Sequence, residues 1–429
     1  MGLAMSASAK QKVAVVGTGG SAQQYLDSHA LRNCMEFFNS TGKGDFNGRS
    51  IRPLTELNVG DYDKVVIAIY RYDEVLHLID KIDSVPVYWF NALDGSLKQL
   101  SDLFADNNDN FITNQQRLTV IYDLRISPPT YDFLTFLVKC QLEAEKRKLC
   151  SLSVIICPGD KHGFRSDIDF FSLDEMNFRV THLLFPLVKL VDPKASLHYC
   201  SDRFEARRLF NFATHKFPEQ HNFVKPVARH YYYEFFDDIN SGVEHRKITS
   251  SDFYREKISQ WFDNNNINRD KVVTITLRES TAHSERNSAL LEWKKVAEIL
   301  SVNGYCVVII RDTDQALMSI EWDNVSEFSA AAMDVELRTA LYESSLINLG
   351  VCNGPAILCF LSTKCRYLFF GMYQKSCTSN TYEHLERVGI SKGKNQIRGA
   401  SEDQYISWLD ETSVNIISEV NKYFGVNIS

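Results

Sequence analysis

Seven segments in this 429-residue chain carry the residue types that could bind a phosphate or take a proton from a hydroxyl. YDLRISPPTYDF (122–133) sets Asp123, Arg125, Ser127 and Tyr131 after an apolar run. CPGDKHGFRSD (157–167) sets Asp160, Lys161, His162, Arg165 and Asp167 after another, and Asp202 and Arg203 close a third. A carboxylate or imidazole at such a place could take a proton from a hydroxyl. Asp123 is the first candidate, then Asp167, then His162. The structural alternative is that Asp123 pairs with Arg125 or Arg165 and only shapes the loop, with His162 solvated.

The fourth loop, ITLRESTAHSERNS (275–288), brings Arg278 and Arg286 together with Ser280, Thr281 and Ser284, and IIRDTD (309–314) adds Arg311, Asp312 and Asp314. Guanidinium forks donate in pairs and suit phosphate oxygens. Here the alternative is a solvated loop with internal Arg–Glu pairs. In LINLGVCNGPAILCFL (346–361), Asn353-Gly354-Pro355 lead into an apolar helix with Pro355 at its first position. Such a start offers free amides and a positive dipole end to an anion. Finally, GTGGSA (17–22) matches G-x-G-x-x-[GA] through Gly17, Gly19 and Ala22. An acid about 20 residues on would hold a ribose, but the next strand ends in Asn39-Ser40 with Glu36 inside it. The turn therefore reads as Rossmann-type geometry, with a dinucleotide as the alternative.

Elements that would position these loops follow a strand–loop–helix rhythm. Short, continuously apolar strands are predicted at 12–17, 33–38, 64–69, 85–90, 118–124, 151–159, 195–200, 271–278, 305–312, 346–352 and 365–371. Such runs suit parallel sheets buried on both faces. Helical stripes cover 131–149 and 288–304. The fold class expected is α/β: three Rossmann-like parallel-sheet units. In open sheets of this kind ligands lie beyond the carboxyl ends of the strands, where these loops fall. A disordered start is expected over 1–10, then domains at 11–112, 113–245 and 246–429, with the polar DNNDN (106–110) as a linker.

Composition bounds the function. Lys+Arg is 47 and Asp+Glu 54, a net charge of 47 − 54 = −7, which argues against a duplex-DNA binder and predicts no nucleic-acid partner. No apolar run approaches the roughly 18–20 residues that span a bilayer. The ten cysteines form no C-x-x-C pair, so no structural zinc and a reducing, cytoplasmic setting are expected. MGLAMSASAK lacks a secretory h-region, though Gly2 and Ser6 match the short M-G-x-x-x-[ST] myristoylation pattern.

Two resemblances sharpen this reading. GKGDFNGRSIRPLTEL (42–57) and DYDKVVIAIYRYDEV (61–75) are similar to the small Rossmann-like domains attached to bacterial polysaccharide and sugar-modifying enzymes, over about residues 12–92. The strand–loop–Gly354-Pro355–helix run resembles the donor-diphosphate site of GT-B glycosyltransferases, the heptosyltransferase-like group in particular. There the run is commonly D-x-G-P-x-H-L; here Cys352-Asn353 precede Gly354-Pro355, and Ile357 stands where the His would be. The strand and helix flanking Arg278 look like the first element of a donor domain in fucosyltransferase-like proteins.

The resemblance covers about 115–429 and implies two facing Rossmann-like domains with the site between them. It implies a glycosyltransferase moving a sugar from a nucleotide-sugar to a glycan or lipid-linked acceptor in surface polysaccharide synthesis, peripheral to the membrane at most. Arg278, Ser280, Arg286, Arg311, Asn353, Gly354 and Pro355 would bind the donor diphosphate; Arg125, Tyr131 and Arg165 would face the acceptor; Asp123, Asp167 or His162 would be catalytic. No cofactor and no metal is implied. An NAD(P)-linked sugar-modifying oxidoreductase and a noncatalytic sugar- or nucleotide-binding scaffold are the alternatives.

Overall fold

The computed structural model describes residues 11–29, 34–69, 85–92, 94–99, 116–228, 231–374, 377 and 380–428. The N-terminal start, the linker at 106–110 and most of the run beyond residue 69 lie outside the described residues. The chain divides into two compact units: Met1–Thr113 with Arg207–Phe212, and Asn114–Ala206 with Ala213–Ser429.

The first unit holds one sheet: β1 (Val13–Val16), β2 (Met35–Asn39), β3 (Ile51–Pro53), β4 (Lys64–Ile67), β5 (Val87–Asn91) and β6 (Ser96–Gln99), in the order β3-β2-β1-β4-β5-β6. All pairs are parallel except β5 with β6. The second unit holds two. β7 (Arg117–Asp123), β8 (Ser151–Cys157), β9 (Ser196–Tyr199) and β10 (Lys216–Phe217) run β10-β7-β8-β9, all parallel. β11 (Val272–Thr276), β12 (Cys306–Ile310), β13 (Val325–Glu327), β14 (Ile347–Val351), β15 (Tyr367–Phe370) and β16 (Gln404–Ile406) run β13-β12-β11-β14-β15-β16, also all parallel. The first and third orders are the Rossmann order. Each sheet is covered by helices, which is why β8, β11 and β14 are buried at every position.

All eleven strands expected from apolar runs are present, and five more lie at sheet edges: β3, β6, β10, β13 and β16. Each is two to four residues long. An edge strand is half-exposed and short, so it carries no continuous apolar run to be read from sequence.

The helix Asp132–Lys146 buries Phe133, Leu134, Leu137 and Val138, at helical spacing. Phe133 sets its ring 4.6 Å from Tyr122 of β7. Leu290–Val302 buries Trp293, Val296, Ala297 and Leu300 on the third sheet. One apolar core runs from Leu118, Val120 and Val154 of the middle sheet to Val308, Ile310 and Phe369 of the third. The buried carboxylate of Glu343 ties the segment between the sheets to the third one, accepting from Ser250 N at 3.1 Å and Ser362 Oγ at 2.9 Å.

Within this unit the carboxyl edges of the two sheets face each other. Tyr131, after β7, lies against Gly354, after β14, so closely that a Cβ on Gly354 would sit 2.7 Å from the Tyr131 ring. Phe170, after β8, has its ring 6.1 Å from that of His283, after β11. Two parallel sheets with Rossmann connectivity and opposed carboxyl edges are the GT-B layout.

The hairpin after β8 is packed as tightly. Gly159 donates to Gly163 O at 2.8 Å, and a Cβ there would meet Phe164 O at 2.3 Å and Leu124 O at 2.7 Å. Both are backbone atoms and cannot rotate away. Gly159→Ala should therefore lower stability by about 1–3 kcal/mol, as overpacking does. A urea midpoint equal to wild type would show that the hairpin yields instead.

Candidate functional site

At the carboxyl edge of the middle sheet, Asp123 is 2% exposed. Arg203 grips it with both arms, NH1 to Oδ1 at 2.6 Å and NH2 to Oδ2 at 2.7 Å. Oδ1 also accepts from Arg125 N at 2.9 Å, and His221 Nε2 lies 3.1 Å from Oδ2. Burial pushes the carboxyl up, but the bonds from Arg203 and His221 outweigh it and hold it at about 2. This differs from the exposed proton acceptor expected: the anion is stabilised, enclosed and a weak base. The partner is Arg203, not the Arg125 or Arg165 of the structural alternative.

Arg125 is ion-paired to Asp160 and donates to the carbonyls of Phe223 (3.2 Å) and Val224 (3.1 Å). Arg165 holds Asp167 through Nε at 2.8 Å and donates to Ile126 O at 3.1 Å. Asp167 is exposed, and the bond from Arg165 keeps its carboxyl below the usual range. His162 is exposed at the tip of the hairpin with a left-handed backbone, φ 53°. The helix after β7 starts at Asp132, with Thr130 Oγ1 accepting from Asp132 N at 3.4 Å. Every arginine on this edge that was expected to touch an acceptor is thus balanced by an acid of its own loops.

The third sheet's edge is different. Arg311 is neutralised by Glu279, Nε to Oε2 at 2.9 Å, and donates to Met318 O at 2.8 Å, which removes it from the expected phosphate contacts. Arg278, Arg286 and Arg338 have no carboxylate within ion-pair distance among the described residues. Arg278 is buried and points into its own loop, donating to Ala282 O, to His283 O at 2.8 Å and to Asn287 Oδ1. Burial, then the charge of Arg286, pulls its pKa down. So Arg278 organises the loop rather than presenting its fork outward. Ser280 is part of the same knot, its Oγ accepting from Ala282 N at 3.1 Å.

Arg286 bridges to the next loop, donating to Cys352 O at 3.0 Å, while its Nε is buried without a partner. Asn353 Oδ1 accepts from Ala356 N at 3.0 Å, and Pro355 is the cap of a helix that begins at Ala356 rather than its first residue. Arg338, 4% exposed, was not singled out by sequence; it donates to Ala331 O at 2.6 Å and Tyr342 Oη at 3.3 Å. Its only sequence signal is a charge on a helical face otherwise formed by Val335, Leu341 and Tyr342.

Tyr131, Arg179 and His182 of one half and Thr313, Met333 and Val335 of the other line a cavity of about 50 Å³. Arg179 pairs with Glu175 at 2.8 Å, and His182 stacks on Phe178 at 4.2 Å. Pockets for drug-sized ligands are about 300–1,000 Å³, so this cavity by itself is too small for one.

In the first unit, Gly17 has φ 121° and donates to Phe38 O at 2.8 Å; a Cβ would lie 2.6 Å from Ala68 O, so only glycine fits. Gly19 caps the helix Gly20–Ser28, and Ala22 is buried on its inner face. Glu36 accepts from Tyr62 Oη at 2.6 Å and Arg52 at 3.0 Å. Asn39 Oδ1 accepts from Thr41 N at 3.0 Å and Gly42 N at 2.7 Å. The strand end where a ribose-holding acid would sit is a side-chain-closed turn.

No protein-family model and no curated protein matches the chain. Among solved structures it is similar to the glycosyl transferase family 9 from Veillonella parvula, at 12% identity and TM-score 0.37, covering 73% of this chain and 90% of that one. It is similar to E. coli heptosyltransferase WaaC with ADP at 11% identity and TM-score 0.35, covering 72% and 99%. It is also similar to the UDP-GlcNAc 2-epimerase from Neisseria meningitidis bound to UDP-GlcNAc, at 14% identity and TM-score 0.32, covering 73% and 95%. The GT-B layout of this chain rests on its own strand orders and opposed sheet edges.

Proposed function

We propose that this protein is a glycosyltransferase taking a nucleotide-sugar, with the donor's diphosphate against the third sheet and a glycan or lipid-linked hydroxyl acceptor against the middle one. One observation carries the reading: the segregation of charge across the cleft. On the middle edge Arg125, Arg165 and Arg203 are each neutralised by an aspartate. On the third sheet's side Arg278 and Arg286, in the loop after β11, and Arg338, in the helix Val335–Ser344, have no carboxylate within ion-pair distance among the described residues. Buried cations without counter-ions are costly, and a diphosphate would supply the missing charge.

In this reading Asp123 anchors Arg203, and the proton-accepting role falls to Asp167, with His162 beside it on the same hairpin. The cleft would have to part at the Tyr131–Gly354 contact to admit the donor. Surface polysaccharide synthesis is the context that the sequence resemblance implies. A second reading, a noncatalytic nucleotide- or sugar-binding scaffold, is favoured only by the small volume of the cavity beside Tyr131.

A thermal-shift screen of nucleoside diphosphates and nucleotide-sugars tests this. A ligand at 100 times its dissociation constant should add roughly 2.7 kcal/mol of stability. Release of nucleoside diphosphate in the presence of acceptor glycans then separates the enzyme from the scaffold. If no nucleoside diphosphate or nucleotide-sugar stabilises the protein, the glycosyltransferase reading falls.

A further inference from the structure

The loop knotted around Arg278 brings a second set of groups together. His283, Glu285 and Cys377 place their ligand atoms within 4.8 Å of one another. His283 and Glu285 are exposed after β11, and Cys377 is 1% exposed after β15. We propose that these three residues form a binding site for a zinc-class divalent cation that joins the two loops. The proposal is independent of the glycosyltransferase reading.

The donor set is one imidazole nitrogen, one carboxylate oxygen and one sulfur, the mixture that Zn²⁺ takes and that Mg²⁺ and Ca²⁺ do not. His283 Nδ1 and Glu285 Oε1 are 3.5 Å apart. Two ligands about 2.0–2.1 Å from a tetrahedral ion are separated by about 3.3 Å, so little movement is needed. With three protein ligands, the fourth position is open to water or another oxygen donor. A thiolate and a carboxylate together balance the two charges of the ion.

The described residues of both loops are hydrogen-bonded without an ion. Arg278 bonds the carbonyls of Ala282 and His283, and His283 keeps a left-handed backbone at φ 54°. The Gln374 side chain reaches across to Glu285 O. Cys377 N donates to Gln374 O at 3.1 Å, and Asn380 N to Cys377 O at 3.0 Å. The Cys377 thiol faces Asn380 Oδ1 at 3.7 Å. Coordination requires that thiol to release its proton to solvent. The plain alternative is a His283–Glu285 ion pair with a bystander cysteine.

The test uses the full-length chain, stripped with a chelator and titrated with Zn²⁺ against a chromophoric competitor, and with Co²⁺ as a spectroscopic probe. One ion per chain and a cobalt–thiolate charge-transfer band are expected. Cys377→Ser and His283→Ala should each abolish the band or weaken binding by about 100-fold, and Glu285→Gln by about 10-fold, comparable to or beyond the loss of an outer-shell partner. Cys150→Ser, removing an exposed thiol elsewhere, should change nothing. If Cys377→Ser fails to fold, the two variants at exposed positions decide. Wild-type affinity in His283→Ala or Cys377→Ser, or no ion held by the parent chain, overturns the site.

Discussion

Asp123→Asn is expected to lower the free energy of unfolding by about 3–5 kcal/mol, the cost of stripping one partner from a buried ion pair. Asparagine keeps the shape but leaves the Arg203 guanidinium facing a neutral amide. It would still donate to the carbonyls of Pro158 (2.8 Å) and Phe223 (2.9 Å), which cannot neutralise it. Arg203→Ala should cost a similar amount, and replacing both by apolar residues of matching volume should recover much of the loss. The pH dependence follows from the same pair. The unfolded carboxyl takes a proton near its ordinary 3.8, whereas the folded one waits until about 2. The pair's contribution is therefore complete above roughly pH 5 and disappears as the pH falls toward 2, a change of about 2–3 kcal/mol. Chemical denaturation from pH 7 to pH 2 reads it directly. A variant that keeps wild-type stability while turnover falls 100-fold or more would restore Asp123 as the proton acceptor.

Arg278→Ala should reduce nucleotide-sugar affinity by about 10- to 100-fold, and should do so through the loop. The guanidinium holds three acceptors at once, and hydrogen bonds to a charged group are worth about 1.5–3 kcal/mol each where the acceptors are left buried. Its loss frees the backbone of 279–288, together with Arg286. Arg286→Ala removes a charge next to the Gly354 loop while leaving that scaffold standing, so it should weaken binding without lowering the melting temperature appreciably. Lysine substitutions separate the roles. Arg286→Lys keeps a cation at the edge and should retain part of the affinity. Arg278→Lys cannot reach three acceptors in different directions and should behave like alanine. Calorimetry and melting on the four variants measure both quantities. Affinity unchanged in Arg278→Ala and Arg286→Ala alike would place the donor elsewhere.

Positions of chemistry-bearing loops were legible in the sequence because a parallel sheet writes itself plainly. A strand buried on both faces must be continuously apolar, so β7, β8, β11, β12 and β14 show as runs, and the polar residues that end each run must lie at the carboxyl edge. That is why Asp123, Arg278 and Asn353 were placed correctly on strand ends. The edge strands β10 and β13 left no such mark, since half their surface is wet.

What sequence alone determined, then, was an α/β chain of three sheet units and the loops that carry its polar groups. Which way each polar side chain faces was decided only by the tertiary structure. Charge pairing depends on distances of a few ångströms between residues far apart in the chain, and no periodicity encodes them. Asp123 meets Arg203, 80 positions on, instead of the neighbouring Arg125 or Arg165. Arg311 is neutralised by Glu279, while Arg338 is buried with no carboxylate within ion-pair distance among the described residues. His283 and Glu285 meet Cys377 because β11 and β15 both flank β14 and release their loops on the same side of the sheet. A carboxylate's role follows from what surrounds it, and those surroundings exist only once the sheets have closed on each other.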